Sequence, residues 1–259
     1  MKWSITSSND FARCPRIIFY KKQRKGSPYT IKHKQRFTTQ TIVGNIVHDA
    51  WEELLKNQVG KIIGEKILPN NKNFQLTIEK LLDKYPHSEN NINTSSIFNQ
   101  CLSHLQKGRA RLYQDFSKHR IISVEETMDW GFIEIPITGK IDLITKDEGG
   151  NIWIIDWKTE TSIKSSMDDP QLTIYGEWAK INYNVDFVKL AHIYTKQGRK
   201  EENRTRSENI NLLMNRIFED YKYWMKYDNE DEYKTNANLW NCEICKFEHK
   251  CPDSKLKSQ

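Results

Sequence analysis

The stretch from Gly139 to Lys158 constrains the fold most. It reads Gly139-Lys140-Ile141-Asp142-Leu143-Ile144, then Asp147-Glu148-Gly149-Gly150, then Ile152-Trp153-Ile154-Ile155-Asp156-Trp157-Lys158. Two β-like runs flank a Gly-rich turn, which is a hairpin signature. The run Ile152 to Ile155 is almost wholly apolar, so it predicts a central strand covered on both faces. A chain with such a strand must place layers on both sides of a sheet. Side chains alternate along a strand, so Asp156 and Lys158 share one face and Trp157 takes the other. Asp142 lies within the first run. Two carboxylates joined by a hairpin can hold a hard divalent cation. A Lys beside them can position a water, and together they make a minimal kit for metal-assisted phosphodiester hydrolysis. An isolated Asp-x-Lys is ordinarily a surface ion pair; here it closes a buried strand instead.

Periodicity supplies the covering layers. Residues 39 to 56 repeat apolar positions with helical spacing: Ile42, Val43, Ile46, Val47, Ala50, Trp51, Leu54 and Leu55. His48 and Glu52 sit together just beyond that stripe, where a surface His–Glu pair is the ordinary expectation. Leu76 to Leu82 and Ile97 to Phe116 predict two further helices, with Cys101, Leu102, Leu105, Leu112 and Tyr113 turned inward. Residues 57 to 119 therefore read as a helical insertion, with a polar loop from Ser88. Strands are predicted over Ile121 to Glu126, Phe132 to Ile137, Lys140 to Thr145 and Ile152 to Trp157. Asp169-Pro170 predicts a helix start, with Asp169 as N-cap, Pro170 at the first position, and Gln171 and Tyr175 one turn apart. Phe187 to Tyr194 predicts another strand. Gln197 to Lys200 reads as a polar, basic stretch. Asn209 to Tyr227 predicts an amphipathic helix facing inward through Leu212, Leu213, Ile217, Tyr221 and Trp224. The fold class is α/β or α+β, a mixed central sheet flanked by helices.

The 259 residues allow one large domain or two small ones, and 37% hydrophobic content with eight Trp and ten Phe can build a core. A net charge of +6 fits a polyanionic partner. Two basic clusters follow the first helical stretch: Lys21, Lys22, Arg24 and Lys25, then Lys32, His33, Lys34 and Arg36. They read either as solvated faces or as a phosphate-contacting rim, with Tyr20 and Tyr29 available for stacking on bases. No apolar run spans a bilayer and no signal-peptide core follows Met1, so the expectation is a cytoplasmic protein with no membrane partner. Its cysteines should then be reduced or metal-bound. Cys242, Cys245 and Cys251 crowd the C-terminus at metal-like spacing. The fourth ligand is either His249 or Cys14. Four thiolates suit zinc or an iron–sulfur cluster.

Taken together, Phe11-x-x-Cys14-Pro15-Arg16, Gly44-x-x-x-His48, Gly139-x-x-Asp142, Asp156-x-Lys158, Gln171-x-x-x-Tyr175 and the three C-terminal cysteines resemble one family. It is the RecB-like branch of the PD-(D/E)XK nuclease superfamily in its iron–sulfur form, with the AddB-type and CRISPR-associated exonucleases. The motifs occur in that family's order. The resemblance implies a restriction-endonuclease-like core over residues 1–259 as one domain. It implies Mg²⁺ or Mn²⁺ held by His48, Asp142, Asp156 and the Trp157 carbonyl. Lys158 would orient the attacking water, Gln171 would position Lys158 or the phosphate, and Tyr175 would support the helix or contact DNA. Cys14, Cys242, Cys245 and Cys251 would hold a [4Fe–4S] cluster stapling the termini, with residues 240–252 packed on Cys14. Arg16, Tyr20, Lys21, Lys22 and Arg24 would contact DNA. The expected activity is a metal-dependent DNA nuclease, an exonuclease on single-stranded ends, serving repair, recombination or CRISPR spacer acquisition. A helicase or a CRISPR integrase is the expected partner. The alternative is a non-catalytic DNA-binding subunit of such a complex. No G-x-x-x-x-G-K-[ST] loop is present, so no helicase activity is expected from this chain.

Overall fold

The computed structural model describes residues 2–26, 38–64, 67–85, 93–132, 135–163, 169–205 and 207–256. The second basic cluster with Tyr29, the Arg24 side chain and the start of the Ser88 loop lie outside the described residues. The chain forms two units. One comprises Phe37–Met128 and Gly139–Ile210; the other comprises Met1–Arg36, Asp129–Thr138 and Asn211–Gln259.

The strands form a five-stranded sheet of order β1-β2-β3-β4-β5, all of it in the larger unit except residues 129–138: β1 (Arg120–Phe132), β2 (Ile135–Lys146), β3 (Ile152–Lys158), β4 (Lys189–Tyr194) and β5 (Arg199–Arg204). It is mixed. The β2–β3 and β4–β5 pairs are antiparallel, and β3–β4 is parallel. A parallel neighbour requires a crossover, and α6 (Pro170–Tyr183) provides it. The hairpin turn forms where expected. Asp147 accepts the Asn151 N–H at 2.8 Å, and Gly150 takes φ +84°, a conformation that favours glycine.

Three helices cover one face: α3 (Thr39–Leu55), α4 (Asn71–Leu82) and α5 (Thr94–Phe116). Ile46, Trp51, Ile78, Leu105 and Phe116 form one core with Leu143, Ile155, Trp157 and Ile193 from the strands. Trp157 stacks on Trp51 with ring centroids 4.7 Å apart, and Phe74 meets Trp51 edge-on. The helices of residues 57 to 119 thus share the core that holds β3, which is why Cys101 is wholly buried. The helix α6 packs on β3 and β4. β3 is therefore buried along six of its seven residues, as its apolar run predicts.

Three expectations for this unit need correction. Tyr113 is 62% exposed, because the inward stripe of α5 runs through Cys101, His104, Leu105, Gly108 and Leu112. Phe187 lies outside β4, which starts at Lys189. The basic stretch after Gln197 opens strand β5, whose Arg-Lys-Glu-Glu-Asn-Arg carries no apolar alternation to read. Charged side chains of this kind suit a sheet edge, where they discourage pairing with another chain.

The other unit contains α1 (Ile5–Arg13), α2 (Arg16–Gly26), α7 (Ser207–Lys226) and α8 (Leu239–Glu243). Ser4 caps α1 by accepting the Ser7 N–H. Trp3 is fully buried and lies 5.9 Å from the rings of Tyr221 and Trp224 on α7. Leu212, expected inside, is 75% exposed; Met214, Ile217 and Trp224 make the buried stripe. Ile17, Phe19 and Tyr20 pack with Tyr233, Phe247 and Cys251, and Cys14 and Cys245 border that cluster.

Candidate active site

The β2–β3 ladder runs from Lys146↔Ile152 to Leu143↔Ile155. Beyond it a side chain takes over: Asp142 Oδ2 accepts the Trp157 N–H at 2.8 Å. The other Asp142 oxygen faces His48 on α3, with Nδ1–Oδ1 at 3.3 Å. His48 therefore pairs with Asp142 and not with Glu52, which binds Lys56 and Lys140. Burial alone would lower the His48 pKa. The charges of Asp142, Asp156 and Glu125 and the Asp142 hydrogen bond outweigh it and bring the imidazole up to about 9. A site that keeps a histidine protonated in this way has a negative potential suited to a cation.

Asp156 and Lys158 share the opposite face from Trp157, as alternation requires. Lys158 Nζ lies 2.7 Å from Asp156 Oδ2. Burial and the neighbouring Asp142 charge raise the Asp156 pKa, against the pull of Lys158 and His192. The Lys158 pKa is raised too, because Asp156, Asp169 and Asp142 outweigh the cost of burial.

Tyr175 and Gln171 buttress the hairpin. Tyr175 Oη accepts the Lys140 N–H at 3.2 Å and the Gln171 amide at 3.0 Å. A Cβ on Gly139 would lie 2.5 Å from Tyr175 Cε1, so the glycine before Asp142 is what lets the tyrosine ring sit against β2. Burial raises the Tyr175 hydroxyl to about 12. Asp169 caps α6 as expected, accepting the Gln171 and Leu172 N–H groups through one oxygen.

Four residues of this site escaped the sequence reading. Glu125 on β1 lies with His48 and Asp142 so that one donor atom from each falls within 4.8 Å of the others. His192 stands opposite Asp156 in the β3–β4 register, fully buried, with Nε2 3.1 Å from the second Asp169 oxygen. Although burial opposes ionisation, His192 and the Lys158 charge bring Asp169 down to about 2. A lone histidine inside the apolar run Leu190-Ala-His192-Ile-Tyr194 was its available signal. Thr195 donates its N–H to the Lys158 carbonyl at 2.9 Å, and its hydroxyl lies 3.1 Å from the same oxygen. His104 Nδ1 is 2.7 Å from that hydroxyl. Burial, with Lys107 and Lys196 nearby, lowers His104 to about 4 and keeps it neutral. A hydroxyl that donates to Lys158 must accept from His104, so this arrangement sets the imidazole tautomer with the proton on Nδ1.

Among the described side chains of α2, Arg16, Tyr20, Lys21 and Lys22 each have a partner within the chain. Arg16 is buried and donates to the Tyr233 carbonyl at 3.2 Å and to Asp253 at 2.9 Å. Lys21 pairs with Asp10, Lys22 with Asp228, and Tyr20 donates to Glu230. These acidic partners are distant in sequence or on the preceding helix, so the run of cations gave no hint of them. Asn236 N–H points at Cys14 Sγ at 3.5 Å and Phe247 N–H at Cys245 Sγ at 3.4 Å. Among the described residues, no three cysteine sulfurs lie within 4.8 Å of one another. None of the described helices is long and apolar enough to cross a membrane.

A family model for the PD-(D/E)XK nuclease superfamily matches residues 2–252 of the chain. No curated protein matches. Among solved structures, one described as "Crystal structure of SSO0001" is 19% identical, with a TM-score of 0.36, over 82% of this chain and 96% of that one.

Proposed function

Because the chain belongs to the PD-(D/E)XK nuclease superfamily, whose members hydrolyse phosphodiester bonds, we propose that it is a metal-dependent deoxyribonuclease. The observation that carries this reading is the grouping of His48, Glu125 and Asp142 where the β2–β3 ladder gives way to a side chain, with the Asp156–Lys158 pair at the end of the neighbouring strand. The donor set fits a hard divalent cation: carboxylate oxygens with one imidazole, the donor atoms of His48, Glu125 and Asp142 lying within 4.8 Å of one another. Mg²⁺ or Mn²⁺ would be held by His48, Asp142 and Asp156 with the Trp157 carbonyl. When bound, it would supply Lewis acidity toward the phosphate and a more acidic water. Lys158 stays charged beside Asp156 and Asp169, placed to orient a water and to offset negative charge building on the phosphate. Asp142 is fixed by the Trp157 N–H, and Thr195 and His104 fix the Lys158 backbone. Tyr175 and Gln171 act as positioning residues, holding the start of the Asp142 segment against α6.

The finer reading is an exonuclease on single-stranded ends, in repair, recombination or CRISPR spacer acquisition, working beside a helicase or integrase. Its support is the ordered motif set in the sequence. Cys14, Cys242, Cys245 and Cys251 are proposed to hold a [4Fe–4S] cluster. The packing of Cys14 with Cys245 and Cys251, and the amide N–H groups aimed at two of the sulfurs, support this. Zinc is the weaker alternative, since thiolates about 2.3 Å from one Zn²⁺ have sulfurs within about 4 Å of each other.

The test is cleavage of end-labelled single- and double-stranded DNA by anaerobically purified protein with Mg²⁺, Mn²⁺ or EDTA, beside Lys158→Ala. The expected result is metal-dependent cleavage lost in the variant, with DNA binding and iron content kept. Binding without cleavage by the unmodified chain in either metal would overturn the enzyme in favour of a non-catalytic subunit.

A further inference from the structure

Glu125 stands in the middle of β1 at φ +53°, in the left-handed region that side-chain-bearing residues rarely adopt. Only one other described non-glycine residue does so, Asn184, and it ends α6. Residues held there persist when the surrounding structure over-determines them. The Glu125 side chain is only 8% exposed. One of its oxygens comes within 4.8 Å of donors on both His48 and Asp142. The other contact of this carboxylate is a cation of the chain itself: Lys140 Nζ lies 2.6 Å from Glu125 Oε2. Lys140 is two residues before Asp142 on β2, so it projects from the same face. It is half exposed, and it also reaches Glu52 Oε2 at 3.1 Å. Glu52 in turn lies one helical turn after His48 on α3.

We propose that Glu125 is a ligand of the divalent cation bound by His48 and Asp142, and that Lys140 is the counter-ion it gives up. This rests on the metal site of the proposed nuclease and adds a residue to it. Without a metal, Lys140 neutralises Glu125, which would otherwise be a buried, unpaired carboxylate. A divalent cation between Glu125 and Asp142 takes over that neutralisation. Lys140 keeps Glu52 as a partner when it lets go, so its ammonium is not left alone. The freed arm remains beside the site, where a phosphate would meet it.

Mn²⁺ binding to the full chain, measured by calorimetry without DNA, tests this directly. Glu125→Gln keeps the side chain's length and the backbone conformation while removing the charge, and should weaken Mn²⁺ binding about tenfold or more. Lys140→Gln should tighten it about two- to fivefold, since an internal competitor worth about 0.5–1 kcal/mol is gone. Unchanged Mn²⁺ affinity in Glu125→Gln, or weaker binding in Lys140→Gln, overturns the inference. Asp142→Asn is the control for the underlying reading: if it too binds Mn²⁺ normally, the metal site itself is wrong. If it loses Mn²⁺ while Glu125→Gln does not, only the role of Glu125 falls. Circular dichroism of each variant confirms that a lost affinity is not a lost fold.

Discussion

Gly139→Ala is a one-carbon change that should be expensive, and the reason is a single ring. The added Cβ would lie 2.5 Å from Tyr175 Cε1, 2.9 Å from its hydroxyl and 3.1 Å from Cζ. Tyr175 is buried on α6 and cannot turn into solvent. It must shift, giving up the Lys140 N–H and Gln171 hydrogen bonds. Overpacking of this kind costs about 1–3 kcal/mol, and each lost hydrogen bond about 1 more. With two such bonds lost, the expected destabilisation is about 3–5 kcal/mol. Most of it should vanish when the ring is removed first. In a Tyr175→Ala background the new methyl meets open space, and alanine is otherwise about 0.5–1 kcal/mol better than glycine in a strand. Urea unfolding of the two single variants, the double variant and the unmodified chain gives the coupling energy. It should be about 3–5 kcal/mol, with Gly139→Ala near neutral in the second background. Additive single effects, within about 0.5 kcal/mol, would refute the claim that Gly139 exists to admit Tyr175.

Other expectations can be checked with the same preparations. Asp220 on α7 lies 3.9 Å from Arg216 Nε, and burial, against the pull of Arg216 and Ser8, raises it from 3.8 to about 6. Its folded pKa is above its unfolded one, so the fold binds the extra proton and loses stability as pH rises from about 4 through 6. Asp220→Asn should therefore match the unmodified chain at pH 4 and exceed it by about 2–3 kcal/mol at pH 7.5; equal differences at both pH values would count against it. Thr195→Val removes the hydroxyl between His104 and the Lys158 carbonyl, and should lower the rate of DNA cleavage at a stability cost of about 1 kcal/mol; unchanged turnover would show that the N–H alone suffices. Cys14→Ala should lose iron, colour and thermal stability, with cleavage falling only as a consequence. Full iron content with normal melting would remove Cys14 from the ligand set.

The parts of this protein that are local in sequence were legible from it. The hairpin, the Asp169 cap, the α3 stripe and the placing of Trp157 opposite Asp156 all follow from period, turn chemistry and capping. The sheet order and the β5 edge were not legible, because Arg199 to Arg204 has no apolar alternation to detect. The site splits along the same line. Asp156 and Lys158 come as a pair from one strand. Glu125 and His192 are brought in by strand register, and no local pattern announces a charged residue whose partner is set by a neighbouring strand. The α2 cations show the converse. Lys21 and Lys22 look like a free basic surface in sequence, and the fold gives each an acidic partner.

The division of the chain also sets an order of assembly during synthesis. The sheet-bearing unit is complete once residue 210 has been made. Ile17 and Phe19 must wait for Tyr233 and Phe247, which lie more than two hundred residues later and provide their cover. At about 5–20 residues per second, that delay is roughly 10–40 s. Through that interval Ile17 and Phe19 of α2 lack the cover that Tyr233 and Phe247 provide. The unit that carries Cys14, Cys242, Cys245 and Cys251 is therefore the last to close.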